Sequence, residues 1–296
     1  MMIKLAVFTK NRSNPAYAAA RLGAERVAAA LGAEVTHYVP EAADDPAQQS
    51  ALVVQALATA PDAFVFTPVH TSKVDAAVAA IGAAGIPIFG FVNRMAPGLC
   101  VSYVGSEDTR LASDIAGHLF KHLGGEGRVA IVEGPADSIT SQERVAAFDA
   151  AAARHPGIRI VARCSGSYQR EPARAAFAQL LAEQPQLDAV LAANDIMAIG
   201  VLDALQAAGR HAAVVGVNAI PQAIEAIASG QMLATADFNA MAMCALATEC
   251  AIRHHRGEAV PAQIELPVAI VDRHNCAAWD LPYAERRLPT LKEVMR

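Results

Sequence analysis

Short runs of β-branched and other apolar residues alternate with alanine-rich stretches along almost the whole chain of 296 residues. Several of these runs are apolar throughout, which is typical of parallel strands that helices cover on both faces. Strands are predicted over residues 3–9, 34–39, 62–67, 86–91, 128–133, 158–163, 188–193 and 213–217. Helices are predicted near residues 15–31, 46–60, 72–84, 108–123, 140–154, 172–184, 196–208, 221–229 and 240–256. The alternation predicts an α/β fold with doubly wound parallel sheets, in two rounds of four or five strands.

Capping residues stand where the predicted helices begin and end. Asn14-Pro15 and Asp45-Pro46 each place a good cap before a proline suited to the first helical position. Glycines that suit helix ends follow five of the stretches: Gly32, Gly124, Gly209, Gly230 and Gly257. Residues 97–106 are extended without a helix-length partner, and residues 231–238 and 264–272 also resemble strands. We interpret these three segments as passages between two lobes.

Composition and charge exclude several classes of protein. The formal net charge is −5 and the 24 lysines and arginines are scattered, so no basic stripe indicates nucleic-acid binding. Five cysteines without a Cys-x-x-Cys pair predict buried free thiols rather than disulfides or a zinc site. No metal and no cofactor is expected. The opening residues run directly into a strand without a signal-peptide pattern, so we expect either a cytoplasmic protein or an exported one in its mature form.

Familiar catalytic signatures do not occur in the sequence. The first strand runs into residues 10–15 (KNRSNP), which contain no glycine, so a dinucleotide fingerprint is missing. The chain also has no P-loop, no Gly-x-Ser-x-Gly and no His-Glu-x-x-His. We therefore predict that the protein is not an enzyme, and an enzyme with a dispersed site stays an alternative.

Polar and aromatic side chains recur where the predicted strands end, which is where open α/β sheets bind ligands. In chain order they are Lys10, Asn14, His70, Asn93, Arg94, Arg144, Tyr168, Asn194, Asp195, Asn218, Asp237 and Phe238. Asparagine both donates and accepts hydrogen bonds and arginine offers a planar fork, which suits a polyhydroxyl ligand. Tyr17, Tyr168 and Phe238 can pack against the apolar face of a sugar ring.

Ordinary structural roles compete with this interpretation at four positions. Asn14 also suits a helix cap, and Tyr17 also suits the core. Arg144 can pair with a neighbouring carboxylate at the surface, and Asn218 can be a turn residue before a proline. Each residue alone is a weak signal, and their placement at successive strand ends is the stronger one.

Several motifs make the chain resemble the type I periplasmic solute-binding proteins of ABC transporters, and within them the ribose-binding group. The motifs are NPAY at 14–17, IPI at 86–88 leading to Asn93-Arg94, Glu143-Arg144 with Phe148, ANDIMAIG at 193–200 and VGVN at 215–218. The resemblance covers the chain to about residue 272. It implies two similar α/β lobes joined by three hinge crossings: residues 1–106 plus 239–267, and residues 107–238 plus 268–296 with the C-terminal tail. It also implies a small ligand held between the lobes by hinge closure.

The resemblance carries over a set of pocket positions. They are Lys10, Asn14, Ala16, Tyr17, Asn93, Arg94, Arg144, Tyr168, Asn194, Asn218 and Phe238, to which we add Asp237 beside Phe238. The chain departs from the pattern, because sugar binders of this group usually have aspartate at the positions of Asn93 and Asn218. A buried cation without a partner is costly. Either the ligand supplies negative charge, or Asp237, Asp195 or Glu133 compensates for the arginines.

The predicted function is therefore the binding of a small sugar or polyol in an ABC-type uptake system, with an acidic sugar as the alternative. The resemblance implies a membrane permease as partner, a possible chemoreceptor, no nucleic acid, a monomer and a periplasmic location. Two rivals share the fold: an effector domain of the lactose-repressor type and a cytoplasmic sensor. Such repressors carry a helix-turn-helix before the first strand, where this sequence has two residues.

Overall fold

The computed structural model describes residues 2–70 and 72–295, and these form two compact units. Unit 1 comprises Met1–Ser106, Asn239–Pro267 and Pro282–Arg296, and unit 2 comprises Glu107–Phe238 and Val268–Leu281. Among the described residues, none of the helices is both long enough and apolar enough to cross a membrane.

Each unit is built on one six-stranded sheet. The strands are β1 (Ile3–Phe8), β2 (Ala33–Tyr38), β3 (Ala63–Phe66), β4 (Ile88–Phe91), β5 (Ser102–Gly105), β6 (Glu126–Glu133), β7 (Gly157–Ser165), β8 (Ala189–Ala192), β9 (Ala213–Val217), β10 (Ala234–Asp237), β11 (Gln263–Glu265) and β12 (Ala269–Asp272). The sheet of unit 1 has the order β11-β5-β4-β3-β1-β2 and is parallel throughout. The sheet of unit 2 has the order β12-β10-β9-β8-β6-β7, in which only β12 is antiparallel. The predicted fold class of two similar parallel-sheet α/β lobes is confirmed.

The helices follow the strands as the alternation predicts. They are α1 (Pro15–Leu31), α2 (Pro46–Ala58), α3 (Asp75–Ala83), α4 (Asp108–His122), α5 (Ile139–Ala153), α6 (Arg170–Glu183), α7 (Asp195–Ala207), α8 (Pro221–Ala228), α9 (Ala240–His255) and α10 (Leu291–Val294), with a 3₁₀ helix over Cys276–Trp279. Asn14 and Asp45 cap α1 and α2 through their side chains. Gly32 ends α1 at φ 73°, a left-handed conformation that favours glycine.

The C-terminal tail corrects the predicted division of the chain. The prediction assigned the whole tail to the second lobe, but Pro282–Arg296 groups with unit 1. The Arg26 side chain donates to the carbonyl oxygens of Tyr283 and Arg286, and the Leu291 amide donates to the Glu249 carboxylate. These bonds hold the last segment on α1 and α9, so the chain passes between the units four times rather than three.

Small residues allow helices to approach closely in both units. A Cβ atom at Gly23 of α1 would lie 2.5 Å from the Met241 carbonyl oxygen of α9, and one at Gly200 of α7 would meet the Arg170 carbonyl oxygen of α6. Only 5% of the residues are aromatic, so the helices achieve close packing by approaching through alanine and glycine.

Gly23→Ala is expected to destabilise the protein by about 1–3 kcal/mol, because the added methyl group forces α1 and α9 apart. Gly117→Ala in α4 is the matched control, since nothing lies within 4 Å of its added Cβ. The control should be neutral or stabilise by roughly 0.5–1 kcal/mol, because alanine favours a helix interior. Urea unfolding measures both free energies, and equal effects of the two changes would contradict the packing argument.

Candidate functional site

Most of the predicted site residues lie at the carboxyl ends of parallel strands, whereas Tyr17 and Arg144 lie on α1 and α5. Both sheets reverse their strand order next to their first strand, between β1 and β3 in unit 1 and between β6 and β8 in unit 2. Open α/β sheets bind ligands at such reversal points, outside the carboxyl ends of the strands. The loop after β1 carries Lys10 and Asn14 in unit 1, and the loop after β8 carries Asn194 in unit 2. Tyr168 lies in the loop after β7, the strand next to β6.

Two asparagines of unit 1 have one half of the amide fixed by backbone. Asn14 Oδ1 accepts from the Ala16 amide at 3.0 Å to cap α1, so its Nδ2 keeps its donors for another acceptor. Asn93 does the opposite, since its Nδ2 donates to the Pro68 carbonyl oxygen at 2.8 Å. Asn93 is 4% exposed and its Oδ1 has no hydrogen-bond partner among the described residues. Burial without a partner is costly for such an oxygen, which indicates a place for a ligand donor.

Three further predicted residues of unit 1 are two cations, Lys10 and Arg94, and the aromatic residue Tyr17. Lys10 is buried and its Nζ lies 3.5 Å from Asp44 Oδ1. Arg94 is exposed, with its guanidinium 4.5 Å from the centre of the Tyr103 ring. Tyr17 is buried on α1 beside the equally buried Ala16, which agrees with the core alternative. The charge of Lys10 is thus compensated by Asp44, and the charge of Arg94 is exposed to solvent.

His70, which also follows a strand, takes part in a turn. Its Nδ1 accepts from the backbone amides of Ser72 and Lys73, at 3.1 Å in both cases. Thus it helps to shape the loop after β3.

Arg144 of unit 2 is held in a buried network. Its Nε and Nη2 donate to Asp108 Oδ1 at 2.9 and 2.8 Å, and its Nη1 donates to the Ala193 carbonyl oxygen at 2.8 Å. The side chains of Arg144 and Asp108 are only 4% and 11% exposed. The guanidinium also lies 5.5 Å from the centre of the buried Phe238 ring. A carboxylate does neutralise Arg144, but it is neither at the surface nor one of the three carboxylates that the sequence suggested.

Those three carboxylates have other partners. Glu133 pairs with Arg163 at 3.2 Å, and Asp237 Oδ2 accepts from the indole nitrogen of Trp279 at 2.7 Å. Asp195 accepts from the Thr235 hydroxyl at 2.7 Å and from the Ile220 amide at 3.1 Å. The carboxylate in the ion pair with Arg144 is thus Asp108, which the sequence did not suggest. Asp195 interacts with the charge of Arg144 only from nearby.

Asn194 and Asp195 occupy the junction of β8 and α7. Asn194 Oδ1 accepts from the Met197 amide at 2.9 Å and caps the helix, so its Nδ2 remains a donor. Burial raises the pKa of Asp195 to about 7, while its hydrogen bonds from Thr235 and Ile220 act in the opposite direction. Asp195 is fully buried and links the start of α7 to Thr235 of β10 and to Ile220 after β9, which is a structural role.

Asn218 and Tyr168 lie on strained connections. Asn218 follows β9 at φ 126° and its amide donates to the Ala236 carbonyl oxygen at 2.8 Å, so it is the turn residue of the alternative interpretation. Tyr168 has φ 57°, and its ring packs so tightly on Gly134 that a Cβ there would collide with it. Strained backbone is often found at ligand sites, because the surrounding structure has to maintain it.

Sequence reasoning missed two contributors, Asp108 and Trp279. Asp108 begins α4, 36 residues before Arg144, and Trp279 follows the last strand by seven positions. Neither follows a strand of its own sheet directly, so the strand-end signal did not include them.

Two grooves of about 600 Å³ in unit 2 lie away from these residues. One is lined by α7 and α8, and the other includes Lys121, His122 and the residues just before β10. None of the predicted ligand residues lines either groove. No group of three or more His, Cys, Asp or Glu side chains within residues 2–70 and 72–295 is arranged to hold a metal ion.

Comparison with known proteins identifies the family. A family model described as a periplasmic binding protein domain matches residues 5–259. The chain is 31% identical over 240 residues to the D-ribose/D-allose-binding protein of Pseudomonas aeruginosa, covering 77% of this chain and 75% of that protein. The chain therefore belongs to the periplasmic binding protein family. This family consists of binding proteins of transporters rather than enzymes, which confirms that part of the prediction.

Solved structures agree with the fold. An ABC transporter periplasmic solute-binding protein from Actinobacillus succinogenes with bound D-allose has a TM-score of 0.87 at 29% identity, covering 93% of this chain and 99% of that chain. An ABC transporter solute-binding protein from Mycobacterium smegmatis with bound glycerol also has a TM-score of 0.87 at 29% identity, covering 94% and 96%.

Arg144→Ala is expected to destabilise the protein by about 3 kcal/mol, because it leaves the Asp108 carboxylate buried without its cation. Arg174→Ala is the control, since Arg174 pairs with Glu171 on the exposed surface of α6 and such pairs contribute about 1 kcal/mol or less. Denaturant unfolding of both variants measures the difference. A loss at Arg144 no larger than that at Arg174 would contradict the buried pair.

The pH dependence of stability should report the raised pKa of Asp195. In the unfolded chain the carboxyl ionises near its ordinary pKa of about 4, whereas in the folded protein it ionises near pH 7. Between these values the folded state holds the extra proton, so this contribution to stability falls as pH rises from about 4 to 7 and then levels off. Asp195→Asn does not titrate, so the melting temperature of wild type relative to the variant should fall from pH 5 to pH 8. Parallel curves would show that Asp195 is ionised throughout.

Proposed function

We propose that this chain is the solute-binding component of an ABC-type uptake system and that it binds a neutral sugar or polyol. Membership of the family supports the transport role. The relatives support the ligand class, since one is a D-ribose/D-allose-binding protein and two solved structures hold D-allose and glycerol.

The main support for the ligand class is that the backbone binds only one of the two polar atoms in the side-chain amides of three asparagines. Asn14 and Asn194 offer amide donors because their oxygens cap helices, and Asn93 offers a buried acceptor because its nitrogen is bound to Pro68. A hydroxyl group both donates and accepts, so a polyol satisfies all three. Backbone fixes the orientation of each amide, so the ligand does not have to order it.

The charges of the described residues favour a neutral ligand over an acidic one. Arg144 is paired with Asp108, Lys10 lies beside Asp44, and Arg94 is exposed to solvent. Asp237 adds a carboxylate at the end of β10. A ligand carboxylate would therefore lose its hydration without gaining an uncompensated cation, which is unfavourable.

The proposed mechanism is ligand-stabilised hinge closure, as the family implies. A ligand favours the closed form only by the additional contacts that it makes there. The proposed contacts are Lys10, Asn14, Tyr17, Asn93 and Arg94 from unit 1, and Arg144, Tyr168, Asn194, Asn218, Asp237 and Phe238 from unit 2. We further propose a periplasmic location, because relatives are periplasmic binding proteins. The proposed partners of the closed form are a membrane permease and, as a second partner, a chemoreceptor.

A thermal-shift panel tests the ligand class. D-ribose, D-allose, xylitol and glycerol are compared with D-ribonate and D-glucuronate at equal ionic strength. At one hundred times its Kd a ligand stabilises the folded state by about 2.7 kcal/mol. We therefore expect at least one neutral compound to raise Tm by several degrees and both acids to leave it unchanged. Stabilisation by an acid alone would overturn the neutral ligand, and stabilisation by none of a wider sugar and polyol panel would overturn the function.

A variant of Asn93 ties binding to the site. Asn93→Ala removes the buried acceptor and is expected to weaken binding of the best neutral compound about tenfold or more in calorimetry. Gln48→Ala is the control, because the Gln48 oxygen already accepts from the amides of Glu41 and Ala42. Equal affinity of the Asn93 variant and wild type would remove Asn93 from the site.

A further inference from the structure

Trp279 is the only tryptophan of the chain and lies beside a proposed ligand residue. Strand β12 starts opposite Asp237, where Ala269 pairs with it, and runs antiparallel to β10 as far as Asp272. Asn275 closes the following turn, with its Oδ1 accepting from the Asp272 amide and its Nδ2 donating to the Ile270 carbonyl oxygen. The 3₁₀ helix Cys276–Trp279 then packs on α8 and brings the indole back to Asp237.

The bond between the two side chains is short and has one direction. Trp279 Nε1 donates to Asp237 Oδ2 at 2.7 Å, and both side chains are half-buried. The indole N–H can only donate, so it fixes the carboxylate as an acceptor. A carboxylate has about four acceptor positions, of which the indole bond takes one.

Asp237 lies among other groups of the proposed site in unit 2. It follows Ala236, whose carbonyl oxygen accepts from the Asn218 amide, and it precedes Phe238, which packs under Arg144. Its charge is also close enough to Asp195 to contribute to the raised pKa of that carboxyl. A rotation of the Asp237 carboxylate would therefore change the surface that these residues present.

We propose that Trp279 is a positioning residue of the ligand site, because its indole N–H holds the Asp237 carboxylate in the orientation that accepts ligand hydroxyls. The proposal rests on the proposed function and adds to it a residue from outside the strand ends. It also means that ligand binding changes the environment of the single indole, so intrinsic fluorescence reports occupancy.

The test uses the compound that binds wild type most tightly among D-ribose, D-allose, xylitol and glycerol. Calorimetry gives Kd for wild type, Trp279→Phe, Asp237→Ala and the double variant. Loss of a hydrogen bond to a charged group weakens binding by on the order of tenfold, so Trp279→Phe should bind about tenfold more weakly. The double variant should bind no more weakly than Asp237→Ala alone, because Trp279 acts only through Asp237.

Cys276→Ala is the matched control, since it removes a buried side chain from the same 3₁₀ helix without touching the bond. It should lower Tm and leave Kd within about twofold. Wild-type affinity in Trp279→Phe, or independent losses in the double variant, would overturn the proposal.

A fluorescence titration of wild type tests the proposal without depending on whether a variant folds. The emission of Trp279 should shift with the same Kd as calorimetry. Unchanged emission during binding seen by calorimetry would also overturn the proposal. Failure of every compound in the wider sugar and polyol panel to bind wild type would instead overturn the proposed function, and it is distinct from either result above.

Discussion

Burial of both faces of each parallel sheet is the constraint on which the rest of the molecule depends. Strands such as β3 and β8 are buried at every position, so they can carry no polar side chain along their length. Polar groups are therefore favoured where these strands end, and the carboxyl ends of parallel strands share one edge. Polar side chains that could bind a ligand are thereby concentrated in the loops at that edge. The helices that cover the sheets can use small side chains. Glycine lets neighbouring helices approach each other closely on the sheets, as at Gly23 between α1 and α9 and at Gly200 between α7 and α6.

The same physics gives the asparagines at those ends two roles. A helix that starts just after a strand needs a side-chain acceptor for its first amides, and Asn14 and Asn194 supply one. An aspartate or serine would also cap a helix, but only asparagine leaves two N–H donors in a fixed direction. Capping and the ligand recognition that we propose are therefore compatible uses of one amide, so the cap at Asn14 does not argue against its place in the site.

Local signals made the fold predictable, and distant pairings escaped prediction. Proline after a cap at Asn14 and Asp45 acts within one turn of helix, so the bounds of α1 and α2 follow from adjacent residues. The tail is different, because Arg26 holds it through backbone carbonyl oxygens of Tyr283 and Arg286, which every residue possesses. Arg144 was predicted as a site residue, but its partner Asp108 was not, because nothing in the sequence near either residue specifies that they pair. The positions of the asparagines were predictable from the strand ends. Which atom of each amide is free of backbone bonds became known only from the hydrogen bonds in the structure.

The Arg144–Asp108 pair also decides what the proposed site can select. A buried arginine that waited for an anionic ligand would burden the unliganded protein with an unpaired charge, which is strongly destabilising. Asp108 removes that burden within the fold, and its two bonds to one oxygen fix the guanidinium over Phe238. The arginine then acts as a rigid set of donors rather than as a free charge. In the site that we propose, such a group would bind hydroxyl oxygens by geometry, and the carboxylates of Asp108 and Asp237 would oppose an acidic ligand. The neutral ligand that we propose is thus consistent with how the chain stabilises its own buried cation.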